Sequence, residues 1–520
     1  MQRYKILWAD DEIDLLKPHI LFLNQRGYEI TPVNNGSEAV DLCEKENFDV
    51  VFLDENMPGM SGLEALSLIK TSKPALPVVM ITKNEEEHIM EEAIGAKIPD
   101  YLIKPLNPSQ ILLSVKKILD NKRLVHEKTT LNYQQEFRKI SMAFMDELSH
   151  EMWAELYKKL VYWELEMDAS QNKDMAEVLD SQKTEANANF SKYVIKHYES
   201  WLNDAKVERP LLSHRLMKQK VFPLIEKGKP LFFVLIDNLR FDQWKTLEPI
   251  IAEHFSVADE DTYYSILPTT TAYARNAIFS GMMPTEMAKH HPELWVSEDE
   301  DEAKNNFEEE FLLKQLLRNN LNIRSTYHKI KNLSQGRDLA ESVSNLFQHE
   351  LNVIVYNFVD MLSHARTDTA MIRELAPDEA AYRSITRSWF LHSPLYDILK
   401  KIAEKQCKVI ITTDHGTIRV KRPFKIIGDK TVNTNLRYKQ GKNLGFEGGK
   451  LMHVTKPERL FLPKVNVSTS YVFAIEDQFF AYPNNYNYYV NYFKDTFQHG
   501  GISLEEMIIP VITLNSKNAR

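Results

Sequence analysis

Short apolar runs that end at a polar residue recur along the chain, and stretches with a three- to four-residue apolar period separate them. Tyr4–Ala9 and residues 49–53, 77–81 and 101–103 have the length and composition of strands, with helical spacing between them. That alternation predicts βα units and a parallel sheet over residues 1–122. The pattern then changes. Residues 123–205 contain no Gly and no Pro. Apolar positions recur at Tyr133, Phe137, Ile140, Phe144, Leu148, Met152, Leu156, Leu160, Trp163 and Met167, always three or four residues apart, as one helix face requires. A second series, Met175, Leu179, Ala186, Phe190, Val194 and Trp201, follows a polar break at 168–174. The two series predict a small helical bundle that links two α/β domains. Strand–helix alternation returns over 206–520. Leu231–Ile236 and residues 353–359 and 408–413 are short, apolar and bounded by polar breaks, as buried strands are. The expected class is therefore α/β and multidomain, with domains at 1–122, 123–205 and 206–520.

Charge and cysteine usage narrow the function classes. A formal net charge of −9 gives no global basic field for nucleic acid. No helix-turn-helix signature is present, so direct duplex DNA binding is not expected. The two cysteines, Cys43 and Cys407, each sit in an apolar element, which argues against a disulfide framework and suits a reducing compartment. The first ten residues lack a signal-peptide apolar region, and no apolar run approaches the ~20 residues of a membrane span. A soluble, cytoplasmic protein is expected. The acidic run 298–302 reads as a solvated loop.

Parallel sheets deliver side chains to the carboxyl ends of their strands. In the first segment those ends carry Asp10-Asp11, Asp54, Thr82 and Lys104. Such a set can hold one Mg²⁺, present one carboxylate as a phosphate acceptor, and neutralise the phosphate with Thr and Lys. In this order the residues resemble the receiver domain of two-component response regulators. The resemblance implies a flavodoxin-like fold phosphorylated on Asp54 by a sensor histidine kinase. Mg²⁺ would be held by Asp11, Asp54 and the Asn56 carbonyl, with help from Asp10. Thr82 and Lys104 would contact the phosphoryl group, and Tyr101 would be the aromatic switch.

The last segment carries a second constellation. Asp237 closes Leu231–Ile236, Asp360 closes the run 353–359, and Asp414 follows the run 408–413. His364 lies four residues after Asp360, His415 adjoins Asp414, and His499-Gly500-Gly501 precedes the last apolar run. Three Asp and three His suit two divalent cations, and mixed carboxylate and imidazole donors match zinc. Thr271 ends the run Thr269-Thr270-Thr271 before a helical stretch, where a metal-activated hydroxyl can act as nucleophile. The ordered set resembles the alkaline phosphatase superfamily. Asp237-Asn238-Leu239-Arg240-Phe241-Asp242 and His499-Gly500-Gly501 resemble its PglZ branch in particular. The resemblance implies one zinc on Asp237, Thr271, Asp414 and His415, and a second on Asp360, His364 and His499. It also implies hydrolysis of a phosphodiester, nucleotide or oligonucleotide in kind, through Thr271. Arg240, Arg275, Arg419, Lys421, Arg422 and Lys425 are candidate phosphate contacts. The tyrosines Tyr482, Tyr486, Tyr488, Tyr489 and Tyr492 read as a packed surface, or as a platform for stacking bases.

Receiver, helical linker and PglZ-like domain together resemble a group of response regulators tied to type IX protein secretion and gliding motility. A homodimer favoured by phosphorylation is expected. A reading of another class stays open: a non-catalytic module, structured by its metal, that docks a sigma factor or a secretion-system component.

Overall fold

Val50-Val51-Phe52-Leu53 is buried on both faces, which places it inside a sheet rather than at an edge. The computed structural model describes residues 4–83, 98–170, 172–296, 305–357, 359, 374–405, 407–428, 433–446, 448 and 450–517, with the side chains of 120–128 excluded. Asp360, His364 and the acidic run 298–302 lie outside the described residues. The chain forms two compact units, 1–134 and 135–520.

In the first unit the strands lie in the order Tyr28–Val33, Tyr4–Ala9, Val50–Asp54, Val78–Thr82 and Asp100–Ile103. All neighbours are parallel. The order reverses between Tyr4–Ala9 and Val50–Asp54, so the carboxyl ends of these two strands, with Asp10 and Asp54, flank the switch point. Tyr28–Val33 was not expected from the apolar pattern. It is an edge strand, mostly half-exposed, and carries Glu29, Thr31 and Pro32, which an edge tolerates and a central strand does not.

The helical series departs from the expected face at one point. One helix runs Pro108–Ala143 and the next begins at His150, so the face from Tyr133 to Met167 is interrupted. Ser149 sits at the break, and its Oγ accepts from the Met152 N–H at 3.3 Å, as an N-cap does. The apolar period runs on across this gap, because Leu148 is buried without being helical. The break expected at 168–174 is present. Helices His150–Ser170 and Lys173–Asn203 flank it, and Asn172 caps the second by accepting from the Met175 N–H at 3.2 Å.

These two helices pack into the second unit. Its main sheet runs Phe255–Tyr264, Ile508–Ser516, Lys408–Thr412, Leu231–Ile236, Leu351–Tyr356 and Ser325–Ile330. The last four of these are parallel to one another, and Ile508–Ser516 is antiparallel to both of its neighbours. Trp201 meets Tyr264 edge-on with ring centroids 5.7 Å apart. Asn187 bonds both to the Glu505 carboxylate at 3.0 Å and from the Leu504 N–H at 2.8 Å. A buried ionic chain completes the seam. Lys183 reaches Glu164 at 2.6 Å, and Glu164 accepts from Arg383 at 2.7 Å. Arg383 reaches Asp242 at 2.8 Å, and Asp242 accepts from Arg240 at 2.6 and 2.9 Å. Burial works against ionisation of Asp242 and Glu164. The guanidinium groups, with Lys183 at Glu164, outweigh it and hold both carboxyls low, Glu164 at about 2. Among the described residues no helix is long and apolar enough to cross a membrane.

Arg383→Ala leaves Asp242 and Glu164 buried with a partner missing. The expected cost is about 3–5 kcal/mol, read as a lowered urea midpoint at unchanged slope.

Candidate functional site

Three residues from two adjacent parallel strands converge. Asp237 follows Leu231–Ile236, and Asp414 and His415 follow Lys408–Thr412, whose register pairs Thr412 with Leu235. One ligand atom from each of Asp237, Asp414 and His415 lies within 4.8 Å of the others, and all three residues are buried. The exits are tied together. Asn238 adopts φ 66°, in the left-handed region that Asn tolerates. The Leu239 N–H donates to Thr413 Oγ1 at 3.0 Å, and that hydroxyl donates to the His415 carbonyl at 3.0 Å. Ser265 Oγ donates to the Asp414 carbonyl at 2.7 Å. A Cβ at Gly416 would collide with the Glu505 carbonyl, so only glycine lets the chain turn there.

Thr271 opens the helical segment 271–280, and its Oγ1 lies 3.1 Å from His415 Nε2. His415 Nδ1 is 3.2 Å from the Gly416 carbonyl. A carbonyl can only accept, so Nδ1 carries the proton and Nε2 presents its lone pair to Thr271. His499 is oriented the same way, with Nδ1 3.2 Å from the Thr269 carbonyl. Its ring stacks on His415 with centroids 4.2 Å apart. Thr269 binds this turn again, accepting from the Gly500 N–H and donating to the Gly501 carbonyl, each at 3.0 Å. The structure therefore assembles Asp237, Thr271, Asp414, His415 and His499.

The donor set fits a zinc ion. It offers two carboxylates, an imidazole lone pair and a hydroxyl, and Asp237 Oδ1 is buried with no hydrogen-bond partner. Burial pushes the Asp237 carboxyl up, and the nearby Asp414 adds to this against the pull of Arg275.

The arginines are placed differently from expectation. Arg275 reaches the site, but its fully buried guanidinium grips Asp237 and Asp414, the latter at 3.0 Å, with Asn357 Oδ1 at 3.2 Å. Arg240 is buried, and Asp242 and Glu379 engage it in the buried ionic chain. Arg419 pairs with Asp495 at 3.1 Å, Lys421 with Asp180 at 3.1 Å, and Arg422 with Glu476 and Asp477. Lys425 lies over the Tyr486 ring at 5.2 Å. Tyr486, Tyr488, Tyr489 and Tyr492 share the helix Tyr486–Phe493, which buries none of its residues.

In the first unit, ligand atoms of Asp10, Asp11 and Asp54 also lie within 4.8 Å of one another. Lys104 Nζ bridges Asp10 and Asp54 at 2.9 Å each. Three carboxylates beside a single lysine fit one Mg²⁺. Burial pushes the Asp54 carboxyl up to about 6, and Asp10 adds to this against the pull of Lys104. The Thr82 hydroxyl donates to Glu55, the neighbour of Asp54, which the strand-end pattern did not single out. Tyr101 is 41% exposed.

Comparison with known proteins covers the chain in three stretches. Residues 6–116 match the response regulator receiver domain, residues 123–202 the PorX response regulator linker domain, and residues 216–514 the BREX system PglZ alkaline phosphatase-like domain. The transcriptional regulatory protein ResD of Bacillus subtilis is 35% identical over 115 residues, 22% of this chain and 48% of that protein. The alginate biosynthesis transcriptional regulatory protein AlgB of Pseudomonas putida is 32% identical over 120 residues, 23% of this chain and 27% of that protein. The chain thus spans about half or less of the curated relatives it matches. A CheY-like receiver domain protein from Methanospirillum hungatei is 27% identical, covering 23% of this chain and 96% of its own, with a TM-score of 0.23. CheY4 of Vibrio cholerae is 28% identical, covering 22% and 99%, with a TM-score of 0.22.

The raised Asp54 pKa gives a pH dependence in magnesium-free buffer. Between the unfolded carboxyl value of about 3.9 and about 6, the native state binds more protons than the unfolded one. Stability from this group is thus complete below about 4 and is lost as pH rises through about 6. Asp54→Asn should flatten that window in urea titrations at successive pH values.

Proposed function

The chain belongs to the family of BREX system PglZ alkaline phosphatase-like domains, here carried behind a receiver domain and a PorX-type linker, and on that premise we propose that it is a phosphorylation-controlled phosphodiesterase. The observation that carries this reading is the Thr271 hydroxyl 3.1 Å from His415 Nε2, beside the buried Asp237–Asp414–His415 cluster. Asp237, Thr271, Asp414 and His415 would hold one zinc. His499 would hold a second, with Asp360 and His364 from outside the described residues. Bound zinc would polarise phosphoryl oxygens and acidify a coordinated hydroxyl.

The chain's own groups then set the reaction. Thr271 is the nucleophile: its Oγ loses its proton to solvent and bonds to phosphorus as the bond to the leaving ester oxygen breaks, and that oxygen takes a proton from water. A further water later hydrolyses the phosphodiester formed on Thr271, releasing a monoester. The turn His499–Gly500–Gly501 holds Thr269, two residues before Thr271, and the buried Arg275 holds the two carboxylates. The substrate class is a nucleotide-like phosphodiester. In the receiver, a sensor histidine kinase phosphorylates Asp54 with Mg²⁺ on Asp10, Asp11, Asp54 and the Asn56 carbonyl, and Lys104 and Thr82 meet the phosphoryl group. The match of residues 123–202 to the PorX response regulator linker domain supports a role for this activity in regulating type IX secretion.

Thr271→Ala should fold, bind two zinc ions per chain by elemental analysis, and lose turnover of a diester panel by at least about a hundredfold. Activity within a few-fold of wild type would exclude Thr271 as nucleophile. Two bound zinc ions with no turnover of any ester by the wild type would instead favour the docking module.

Phosphorylation adds negative charge beside Lys104 and Thr82 and should reorder the Tyr101 face, shifting the chain toward a homodimer. Sedimentation velocity should show a heavier species with beryllofluoride and Mg²⁺, and Asp54→Ala should not respond. An unchanged mass across micromolar concentrations would refute the dimer switch.

A further inference from the structure

A recess of about 740 Å³ opens in the second unit, and none of the metal-site residues lines it. Its walls come from the end of the helix Lys173–Asn203, the turns at 213–221, Gly281 and the end of the helix Glu308–Arg318. Arg215, Lys218 and Arg318 all line it. Arg209 stands near enough that, after burial, its charge further lowers the basicity of Arg215. Among the described residues none of these four cations makes an ion pair. The wall has one carboxylate, Glu286, whose Oε2 accepts from the Met283 N–H at 2.8 Å and whose charge acts on Arg318.

An unmet donor lies in the same wall. Arg215 Nε donates to His214 Nε2 at 3.2 Å, which fixes the neutral imidazole with its proton on Nδ1. That Nδ1 is buried and has no partner. A chain of net charge −9 has acidic side chains to spare, yet Arg215, Lys218 and Arg318 line this concavity against the single carboxylate of Glu286.

We infer that this recess is an anion site, separate from the Thr271 centre, and that it takes a small phosphate-bearing ligand. Guanidinium and ammonium groups together match the oxygens of a phosphate dianion, and the volume leaves room for more than one phosphate. The site adjoins the Thr271 segment from behind. Arg318 donates to the carbonyl of Ser280, the last residue of the helical segment that Thr271 begins. An occupied recess therefore bears on the far end of the element that carries the proposed nucleophile.

The test uses crystals of the full chain soaked in tungstate and pyrophosphate titrations by calorimetry. An anomalous tungsten peak among Arg215, Lys218 and Arg318 is expected, besides any at Thr271. The variant Arg215→Gln/Lys218→Gln spares the Arg318–Ser280 contact. It should lose that peak and weaken pyrophosphate binding at this site by at least about tenfold, the worth of one charge-assisted hydrogen bond. Its diester turnover without added pyrophosphate should match wild type. A tungsten peak at Thr271 alone, or unchanged pyrophosphate binding by the variant, would overturn the site while leaving the hydrolase reading intact.

Discussion

The buried ionic chain Lys183–Glu164–Arg383–Asp242–Arg240 is the constraint on which the second unit depends. Its members come from four helices and the N-cap of one of them, so no single segment can form it. Removing so many charges from water costs several kcal/mol per ion, and only near-complete mutual pairing offsets that. Such a chain is weak evidence for net stability but strong evidence for register. Glu164 accepts from cations on two other helices, and Asp242 from Arg383 on another helix as well as from its own N-cap, so a shift of any one helix breaks a buried pair.

That register reaches the proposed metal ligands through the backbone. Arg240 and Asp242 stand just after Asp237 and Asn238, at the start of the helix Phe241–Ile251. Glu505, which Asn187 of the linker helix holds, presents the carbonyl against which Gly416 turns, directly after His415. Fully buried Arg437 grips Glu506 at 2.6 and 3.1 Å, and Glu506 accepts from the Gly501 N–H at 2.9 Å beside His499. The three ligand-bearing turns are therefore fixed by neighbours that cannot move independently. This is the preorganisation that the proposed metal-assisted phosphoryl transfer would need. The linker helices His150–Ser170 and Lys173–Asn203 are part of this support.

The sequence by itself determined the strands that carry chemistry. Leu231–Ile236, Val50–Asp54 and Val78–Thr82 announce themselves as short apolar runs ending in a polar residue, because a parallel strand buried on both faces has no polar side to display. Their terminal Asp237, Asp54 and Thr82 were therefore legible as a set, and so was the helix break at 168–174. The edge strand Tyr28–Val33 was not legible, since a half-exposed strand with a proline lacks that signal. The break between Ala143 and His150 was hidden as well, because apolar spacing continues through a capped turn. The roles of the arginines were decided only by tertiary structure. Arg240 and Arg275 adjoin the ligands in sequence, and both could have faced substrate. Whether a guanidinium meets solvent, a phosphate or a buried carboxylate depends on which distant acids the fold brings to it: Glu379 for Arg240, Asp414 for Arg275. No local pattern encodes such pairings, because ion pairs have no period along the chain.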